Sequence, residues 1–308
     1  MKVCFVGLGS IGKRHLKNLY FICKQRNVDL EIHALRSSNK ELPKEIVDLI
    51  DKSMYNENDL EEYDIVFITN PTSLHYNAIS LLGEKTKNMF IEKPLFESTK
   101  YELNSLNLKD KGVYYIAAPM RYTNVLMKLK EIIKYENIYS IRCICSSYLP
   151  NWRKNVDYRD IYSASRKLGG GISLDCIHEW DYIVDLFGFP EEVFEILGKY
   201  SHLEIDSDDI AVYIGRYQDK VVELHLDYIG RESKREIELY TKNGTIIGDF
   251  INNEIRFTDG RDTIKFENDD DDIYIRELNK FLSMIFEETK NDNDIKHAYD
   301  VLKLARRE

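Results

Sequence analysis

The turn Gly7-x-Gly9-x-x-Gly12 constrains this chain more than any other stretch, because it joins an apolar run at 3–6 directly to helix-like sequence at 11–24. That order suits a dinucleotide. Gly7 permits a tight turn out of a strand, Gly9 leaves no side chain between backbone and pyrophosphate, and Gly12 lets the following helix pack against the sheet. The helix N-terminus, with unpaired N–H groups and a partial positive charge, then receives the phosphates. Gly7, Gly9, Ser10, Ile11 and Gly12 are therefore the expected cradle. A glycine triplet can also be an ordinary turn; the strand before it and the helix after it separate the two readings.

Through residue 118, strands at 3–6, 30–35, 65–69, 88–91 and 113–117 alternate with helices at 11–24, 41–50, 73–84 and 99–110. Such alternation builds a doubly wound parallel sheet with helices on both faces, a Rossmann domain. From about 124 the pattern changes. A helix at 124–135 leads to a long strand at 139–148, a polar aromatic loop and a helix beginning near Gly171. Strands at 210–216, 221–227, 236–240 and 254–257 follow, with hairpin signals at Asn243-Gly244 and Asp259-Gly260. Helices at 273–290 and 295–306 close the chain. The expected fold class is α/β: an N-terminal Rossmann domain over 1–119, then a C-terminal α+β domain over 120–308 with a large, mostly antiparallel open sheet. The second domain is expected to bind substrate and oligomerise, and the last helix to pack back on the first domain. No Pro/Gly linker separates the halves, so they are expected to dock with a cleft between them.

The 308 residues suffice for two cores, and a formal net charge of −10 leaves no basic stripe with which to neutralise a nucleic acid. No apolar stretch approaches the roughly 18 residues of a transmembrane helix. The N-terminus enters a strand within two residues, so no signal peptide is expected and the cytoplasm is the expected location. Five cysteines, Cys4, Cys23, Cys143, Cys145 and Cys176, lack CxxC spacing and read as reduced buried thiols, with no metal site expected. The acidic run at 268–272 reads as a solvated loop before a helix and lacks the glycine and distant glutamate of an EF-hand.

A Rossmann domain that prefers NAD usually carries an acidic residue at the end of its second strand; this chain has Arg36-Ser37-Ser38 there. Arginine pairs with a 2′-phosphate that a carboxylate would repel, so NADP is expected over NAD. The strand at 88–91 ends in Glu92-Lys93-Pro94, placing a lysine where open parallel sheets bind ligands. In the other half, Gly169-Gly170-Gly171 opens a predicted helix on which Asp175, His178 and Glu179 share one face. A histidine three residues from an aspartate can be oriented and tuned for acid–base work near neutral pH. The same residues also read as a plain turn followed by a surface pair.

Five matches in order make the comparison specific: VCFVGLGSIGKRH at 3–15, TNPTSLHYNAI at 69–79, EKP at 92–94, MRY at 120–122 and GGGISLDCIHEWDYIVDLFG at 169–188. In these the chain resembles the Gfo/Idh/MocA oxidoreductases, the glucose-fructose oxidoreductase and inositol dehydrogenase family. The resemblance implies an NAD(P)-dependent enzyme that moves a hydride between nicotinamide and a carbon of a sugar, inositol or nucleotide-sugar. Lys93 would steady charge on the reacting oxygen, His178 exchange its proton and Asp175 hold the imidazole. Many members space the last two as Asp-x-x-x-His, whereas here Asp-x-x-His is followed by Glu179, so whether His178 or Glu179 stands at the usual histidine position is open. The resemblance also implies a cis Lys93–Pro94 bond and cofactor contacts from Thr69, Asn70, Pro71, His75, Glu92 and Lys93, with His75 in a packing role.

Between the long strand and the glycine triplet lie Tyr-Leu-Pro-Asn-Trp-Arg at 148–153 and Asp-Tyr-Arg-Asp-Ile-Tyr at 157–162. Aromatic platforms beside polar groups suit sugars, making Trp152, Arg153, Tyr158 and Tyr162, with Arg121, Tyr122 and Glu179, the candidate substrate residues. The same stretch also reads as an arm packed on its own domain or on a second subunit. Similar stretches in family members associated with surface-glycan synthesis point to a sugar or nucleotide-sugar. Two other readings stand beside this one. One is a non-catalytic dinucleotide-binding sensor or assembly subunit, against which Lys93, Asp175 and His178 argue; the other is a reductase of non-sugar carbonyls or diols. The open sheet is expected to pair copies into a homo-oligomer, a dimer or tetramer.

Overall fold

The computed structural model describes residues 1–267 and 272–306. They fall into two compact units, residues 1–117 with 272–302 and residues 118–267 with 303–306. The first unit opens with β1 (Lys2–Val6), α1 (Ser10–Gln25), β2 (Glu31–Leu35), α2 (Lys44–Val47) and β3 (Lys52–Met54). β4 (Ile65–Ile68), α3 (His75–Leu82), β5 (Asn88–Ile91) and β6 (Val113–Ile116) follow. The six strands lie in the order β3-β2-β1-β4-β5-β6, all pairs parallel. The chain starts mid-sheet, runs to one edge, then returns beside β1 and runs to the other. That reversal leaves a crevice at the carboxyl ends of β1 and β4, where open α/β sheets bind ligands. Central strands such as β4 are buried at every residue, which is why they read as unbroken apolar runs rather than alternating ones.

In the second unit, α4 (Asn124–Ile132) leads to β7 (Ile138–Tyr148), and two short helical pieces, α5 (Ile172–Asp175) and α6 (Ile177–Phe187), follow the aromatic loop. Then come β8 (Glu192–Gly198), β9 (Ile210–Arg216), β10 (Val221–Asp227), β11 (Ile229–Thr241), β12 (Thr245–Asp249), β13 (Glu254–Phe257) and β14 (Ile264–Lys265). The eight strands run β14-β13-β12-β11-β7-β10-β9-β8, antiparallel except for β7 against β10. Side chains alternate across this sheet. Val193, Tyr213, Leu224, Cys143 and Ile237 are buried on one face, while Phe194, Ile196 and Ile214 are exposed on the other.

α7 (Asp272–Phe286) returns to the first unit, and α8 (Ile295–Ala305) ends the helical part of the chain. Phe5, Phe67 and Phe90, from three adjacent strands, stack at 4.5 and 5.3 Å between centroids, and Phe281 of α7 meets Phe90 edge-on at 5.4 Å. This aromatic ladder fixes the sheet beneath the glycine turn. Among the described residues no helix is long and apolar enough to cross a membrane. The expected loop at 268–271 lies outside the described residues.

Three predicted helices differ. The one at 41–50 shrinks to α2, because Pro43 caps its start and the residue before a proline is pushed out of helical conformation. The one at 99–110 is a single 3-10 turn, Leu103–Ser105, in which the Ser105 hydroxyl donates to the Glu102 carbonyl at 2.6 Å, a local bond that competes with helix continuation. The helix expected from Gly171 breaks at Cys176, whose φ −101° and ψ 31° separate α5 from α6.

Candidate functional site

The glycine turn sits at the end of β1. Gly7 has φ +87°, its N–H donates to the Leu35 carbonyl at 2.9 Å, and a Cβ added there would approach Asn70 Cα to 2.9 Å. A Cβ on Gly12 would press on the Gly7 carbonyl oxygen at 2.5 Å and on Thr69 Oγ1 at 2.7 Å. Gly9 behaves differently: a Cβ there meets nothing within 4 Å, so that side of the turn is open. α1 begins at Ser10 with no capping side chain and no acidic residue in its first turn. The N–H groups of Ser10, Ile11 and Gly12 therefore have no intrahelical acceptor. Beside them, Asn70 Oδ1 is buried without a partner among the described residues. An open cradle, free donors and an unsatisfied polar atom fit a dinucleotide pyrophosphate and its neighbouring ribose.

Thr69 is buried and donates its hydroxyl to Gly7 O at 2.6 Å, bracing the turn. Pro71 caps a 3-10 turn, Thr72–Leu74. At the end of β2, the Arg36 guanidinium lies 5.6 Å from the Tyr55 ring centre; it donates to the Tyr55 hydroxyl at 3.0 Å and to the Lys40 carbonyl. Ser37 and Ser38 beside it are exposed.

The strand end that carries Lys93 is gripped by two buried histidines. From α1, His15 Nε2 lies 2.6 Å from Glu92 Oε1, and Glu92 Oε2 accepts the Lys93 backbone N–H at 3.3 Å. Burial alone would raise the Glu92 pKa; the His15 hydrogen bond and the charge of Lys93 outweigh it and hold the carboxyl below its usual range. From α3, His75 Nδ1 lies 3.1 Å from Pro94 O and 3.2 Å from Leu95 O, while its Nε2 lies 3.0 Å from Asn70 O. Three carbonyls favour a charged ring, yet burial dominates and pulls the His75 pKa down. The Lys93–Pro94 bond is cis, and Lys93 itself is half-buried.

In the second unit the glycine triplet serves packing. Gly169 and Gly171 have φ +85° and +127°, and a Cβ on Gly170 or Gly171 would strike the Tyr162 carbonyl or the Asp208 carboxylate. Asp208 occupies that space, accepting from Ser173 N at 2.9 Å and from Arg306 Nη2 at 2.7 Å. The start of α5 thus rests on a protein carboxylate. Asp175, at the end of α5, is buried, and accepts the Tyr162 hydroxyl at 2.5 Å on Oδ1 and the Tyr228 hydroxyl on Oδ2. Burial first, then the charge of Asp175, pushes both phenols well above their usual pKa, so both stay O–H donors at neutral pH. Because the helix breaks at Cys176, Asp175 lies on a different helical piece from His178 and Glu179, which corrects the single shared face expected from their spacing.

His178 is half-buried in the first turn of α6, between the buried Ile177 and Glu179. Glu179 is fully buried and accepts from Arg235 Nε at 2.7 Å. Arg121 is likewise committed, with Nε and Nη2 each 2.8 Å from the Asp181 carboxylate and a side chain only 6% exposed. Both had the look of substrate contacts in the sequence; the structure makes them halves of buried ion pairs, where removing one partner costs about 3–5 kcal/mol. Cys145 and Cys176 place their sulfurs 3.5 Å apart beside Glu179, the one cluster of potential metal ligands among the described residues. Glu179 Oε1 in that cluster accepts from Arg235, while its Oε2 is buried without a hydrogen-bond partner among the described residues.

Among the loop residues, Trp152 donates its indole N–H to Ser147 Oγ at 2.9 Å and lies edge-on to Tyr228 at 5.2 Å. The Tyr158 hydroxyl accepts from Glu204 N at 3.1 Å, which ties the loop to its own unit, and Arg153 is exposed. Tyr122 ends the 3-10 turn Pro119–Tyr122. Sequence reasoning passed over Tyr228, Asp208 and Arg235, which have no motif of their own. His15 was visible in the glycine motif, three residues after Gly12, but its partner Glu92 is 77 residues away.

Two family models match the chain: "Oxidoreductase family, NAD-binding Rossmann fold" over residues 1–108 and "GFO/IDH/MocA C-terminal domain" over 126–247. No curated protein matches the sequence. Among solved structures, a levoglucosan dehydrogenase in complex with NADH is similar at TM-score 0.82 and 18% identity, over 99% of this chain and 95% of that one. A UDP-N-acetylglucosamine 3-dehydrogenase from Acidithiobacillus ferrooxidans is similar at TM-score 0.78 and 18% identity, over 99% and 95%. An oxidoreductase from Thermotoga maritima is similar at TM-score 0.80 and 18% identity, over 99% and 94%.

The buried His75 ring carries a pH consequence. Above its ordinary pKa of 6.5 it is neutral in folded and unfolded chains alike; below that, the unfolded chain gains a proton that the buried ring resists, so stability falls as pH falls. Urea unfolding between about pH 7 and about pH 5 is expected to show a shallower loss of stability in His75→Gln than in the unsubstituted protein. Equal slopes would contradict the burial effect.

Proposed function

Because the chain belongs to the Gfo/Idh/MocA oxidoreductase family, we propose that it transfers a hydride between a nicotinamide dinucleotide and an oxygen-bearing carbon of a sugar or sugar derivative. The observation that carries the proposal is the placement of Lys93. It leaves a parallel strand at the carboxyl end, on a segment tied through His75 to Asn70 and through Glu92 to the helix that follows the glycine turn. A lysine fixed there has a reason beyond packing. The dinucleotide, when bound, supplies or receives the hydride. The Lys93 ammonium stabilises negative charge on the reacting oxygen, and His178 exchanges the hydroxyl proton. Asp175, gripped by two tyrosine hydroxyls, is a fixed carboxylate near the α5–α6 break, suited to orienting a neighbouring imidazole. His178 suits the proton-exchanging role better than Glu179, which is fully buried and paired. The dehydrogenases of similar fold act on levoglucosan and on a UDP-sugar, a likeness that supports reading the substrate as sugar-like.

Lys93→Ala and His178→Ala are each expected to lose on the order of a hundredfold or more in kcat with dinucleotide affinity within about threefold. Stopped-flow hydride transfer and fluorescence titration of the cofactor check this, and near-normal turnover in both variants would remove the assignment.

For the cofactor form, Arg36, braced on Tyr55, with Ser37 and Ser38 and no carboxylate at the end of β2, favours the 2′-phosphate. Arg36→Ala is expected to weaken NADPH about tenfold and NADH little. Tighter binding of NADH than of NADPH by the unsubstituted protein would reverse this preference.

The exposed face of the eight-stranded sheet suits a second copy of the chain. Phe194 and Ile196 are 58% and 62% exposed, and Ile214 lies opposite Phe194 on the adjoining strand. Such a patch is usually covered in a working assembly. Sedimentation is expected to give an oligomer that Phe194→Glu with Ile196→Glu dissociates; an oligomer unaffected by both, or a monomer from the start, would exclude this face.

A further inference from the structure

Three buried groups of the second unit meet at the break between α5 and α6 with more coordinating capacity than their protein partners use. Cys145 comes from β7, Cys176 is the break itself, and Glu179 lies in the first turn of α6. Their two sulfurs and a carboxylate oxygen all lie within 4.8 Å of one another, and the sulfurs are 3.5 Å apart. Of the five cysteines these two are the least buried, 8% and 6% exposed against 2% or less for the others, so the cluster is not sealed from an entering ion. Cys143, two residues before Cys145 on the same face of β7, is already engaged, with its sulfur 2.8 Å from the Tyr182 hydroxyl.

Glu179 is fully buried and only half satisfied. Arg235 Nε donates to its Oε1 at 2.7 Å, and its Oε2 has no hydrogen-bond partner among the described residues. A buried carboxylate oxygen without a donor is costly, and such an atom is explained when a positive group meets it. Arg235 stands on β11 directly opposite Cys145 on β7, so the strand register itself brings the guanidinium to this cluster. Two thiols and an unsatisfied carboxylate oxygen, with a cation behind the other oxygen, make a donor set rather than a packed apolar contact.

We propose that Cys145, Cys176 and Glu179, the last through the oxygen that Arg235 leaves, bind a divalent thiophilic cation, for which zinc is the best match. Two sulfurs each about 2.3 Å from a tetrahedral zinc lie about 3.8 Å apart, close to the 3.5 Å separation here. Thiolates select such an ion over magnesium or calcium. Arg235 on Oε1 is the outer partner that orients a ligating carboxylate. Binding expels both thiol protons to solvent. Two thiolates and a carboxylate then balance the double charge of the ion and the single charge of Arg235, so the buried cluster stays neutral; a monovalent ion leaves one negative charge uncompensated. Water takes the fourth tetrahedral position. The bound ion pins the α5–α6 break to β7, between Asp175 and His178 in the chain. This assignment does not rest on hydride transfer, and either can fail alone.

The probes are Zn²⁺ and Co²⁺, added to the full chain after chelator treatment and kept reduced by a phosphine. Native mass spectrometry is expected to show a single Zn²⁺ per chain, and saturating metal to raise the melting temperature by about 5 °C. With Co²⁺, near-ultraviolet thiolate-to-metal absorption and the visible bands of a tetrahedral ion are expected. Cys145→Ala and Cys176→Ala are each expected to weaken Zn²⁺ about a hundredfold or more against a competing chelator. Cys143→Ala, which removes a neighbouring thiol outside the donor set, is expected to keep the affinity within about threefold. Melting of the metal-free variants establishes that each is folded before its affinity is read; where a variant does not fold, the cobalt spectrum of the unsubstituted protein decides. Absence of stoichiometric metal, a cobalt spectrum without thiolate absorption, or equal affinity in all three variants overturns the proposal.

Discussion

One buried imidazole sets the geometry on which the chemistry of the first unit depends. His75 stands between the carbonyl of Asn70, at the end of β4, and the carbonyls of Pro94 and Leu95, just past the end of β5. It ties the segment carrying Lys93 to the segment carrying the unsatisfied Asn70 side chain, in addition to the strand ladder beneath them. His15 makes a second link, from the helix after the glycine turn to Glu92. Dinucleotide cradle and lysine are therefore parts of one hydrogen-bonded frame. Its rigidity comes from bonds that water cannot replace, because both rings are buried.

The second unit uses a different device for the same purpose. A helix broken at Cys176 places Asp175 at the end of one short piece and His178 in the first turn of the next, and each is fixed from outside the helix. Asp208 and Arg306 hold the start of α5, two tyrosines hold Asp175, and the Glu179–Arg235 pair holds the start of α6 against β11. Glycines at 169–171 let these groups approach, which is why a triplet that resembles a phosphate loop in sequence is filled here by a carboxylate.

What the sequence made legible was periodic or local. The strands through residue 118, the three distinct jobs of Gly7, Gly9 and Gly12, and the lysine at a strand end follow from spacing alone, and the six-stranded parallel sheet bears out the doubly wound order, although a 3-10 turn replaces the helix expected between β5 and β6. The largely antiparallel second sheet followed from hairpin signals, which mark turns reliably. What could not be read was pairing across long separations. Glu179 and Arg121 looked available for a ligand because their partners, Arg235 and Asp181, lie 56 and 60 residues away. Tyr228 has no motif, and its role arises only because β10 and β11 bring it beside Asp175. The break at Cys176 was hidden as well, since ISLDCIHEW has good helical periodicity and the groups that grip the chain before it, Asp208, Tyr162 and Tyr228, are distant in sequence.

The most direct test of the central claim follows the hydride itself. With a sugar-derived carbonyl as acceptor and a reduced dinucleotide carrying deuterium at the transferable C4 position, mass spectrometry of the product is expected to show one deuteron on the newly formed carbinol carbon, in step with cofactor oxidation and absent in Lys93→Ala. Cofactor oxidation with the label released to solvent, or a sugar product free of deuterium, would contradict hydride transfer to carbon by this protein.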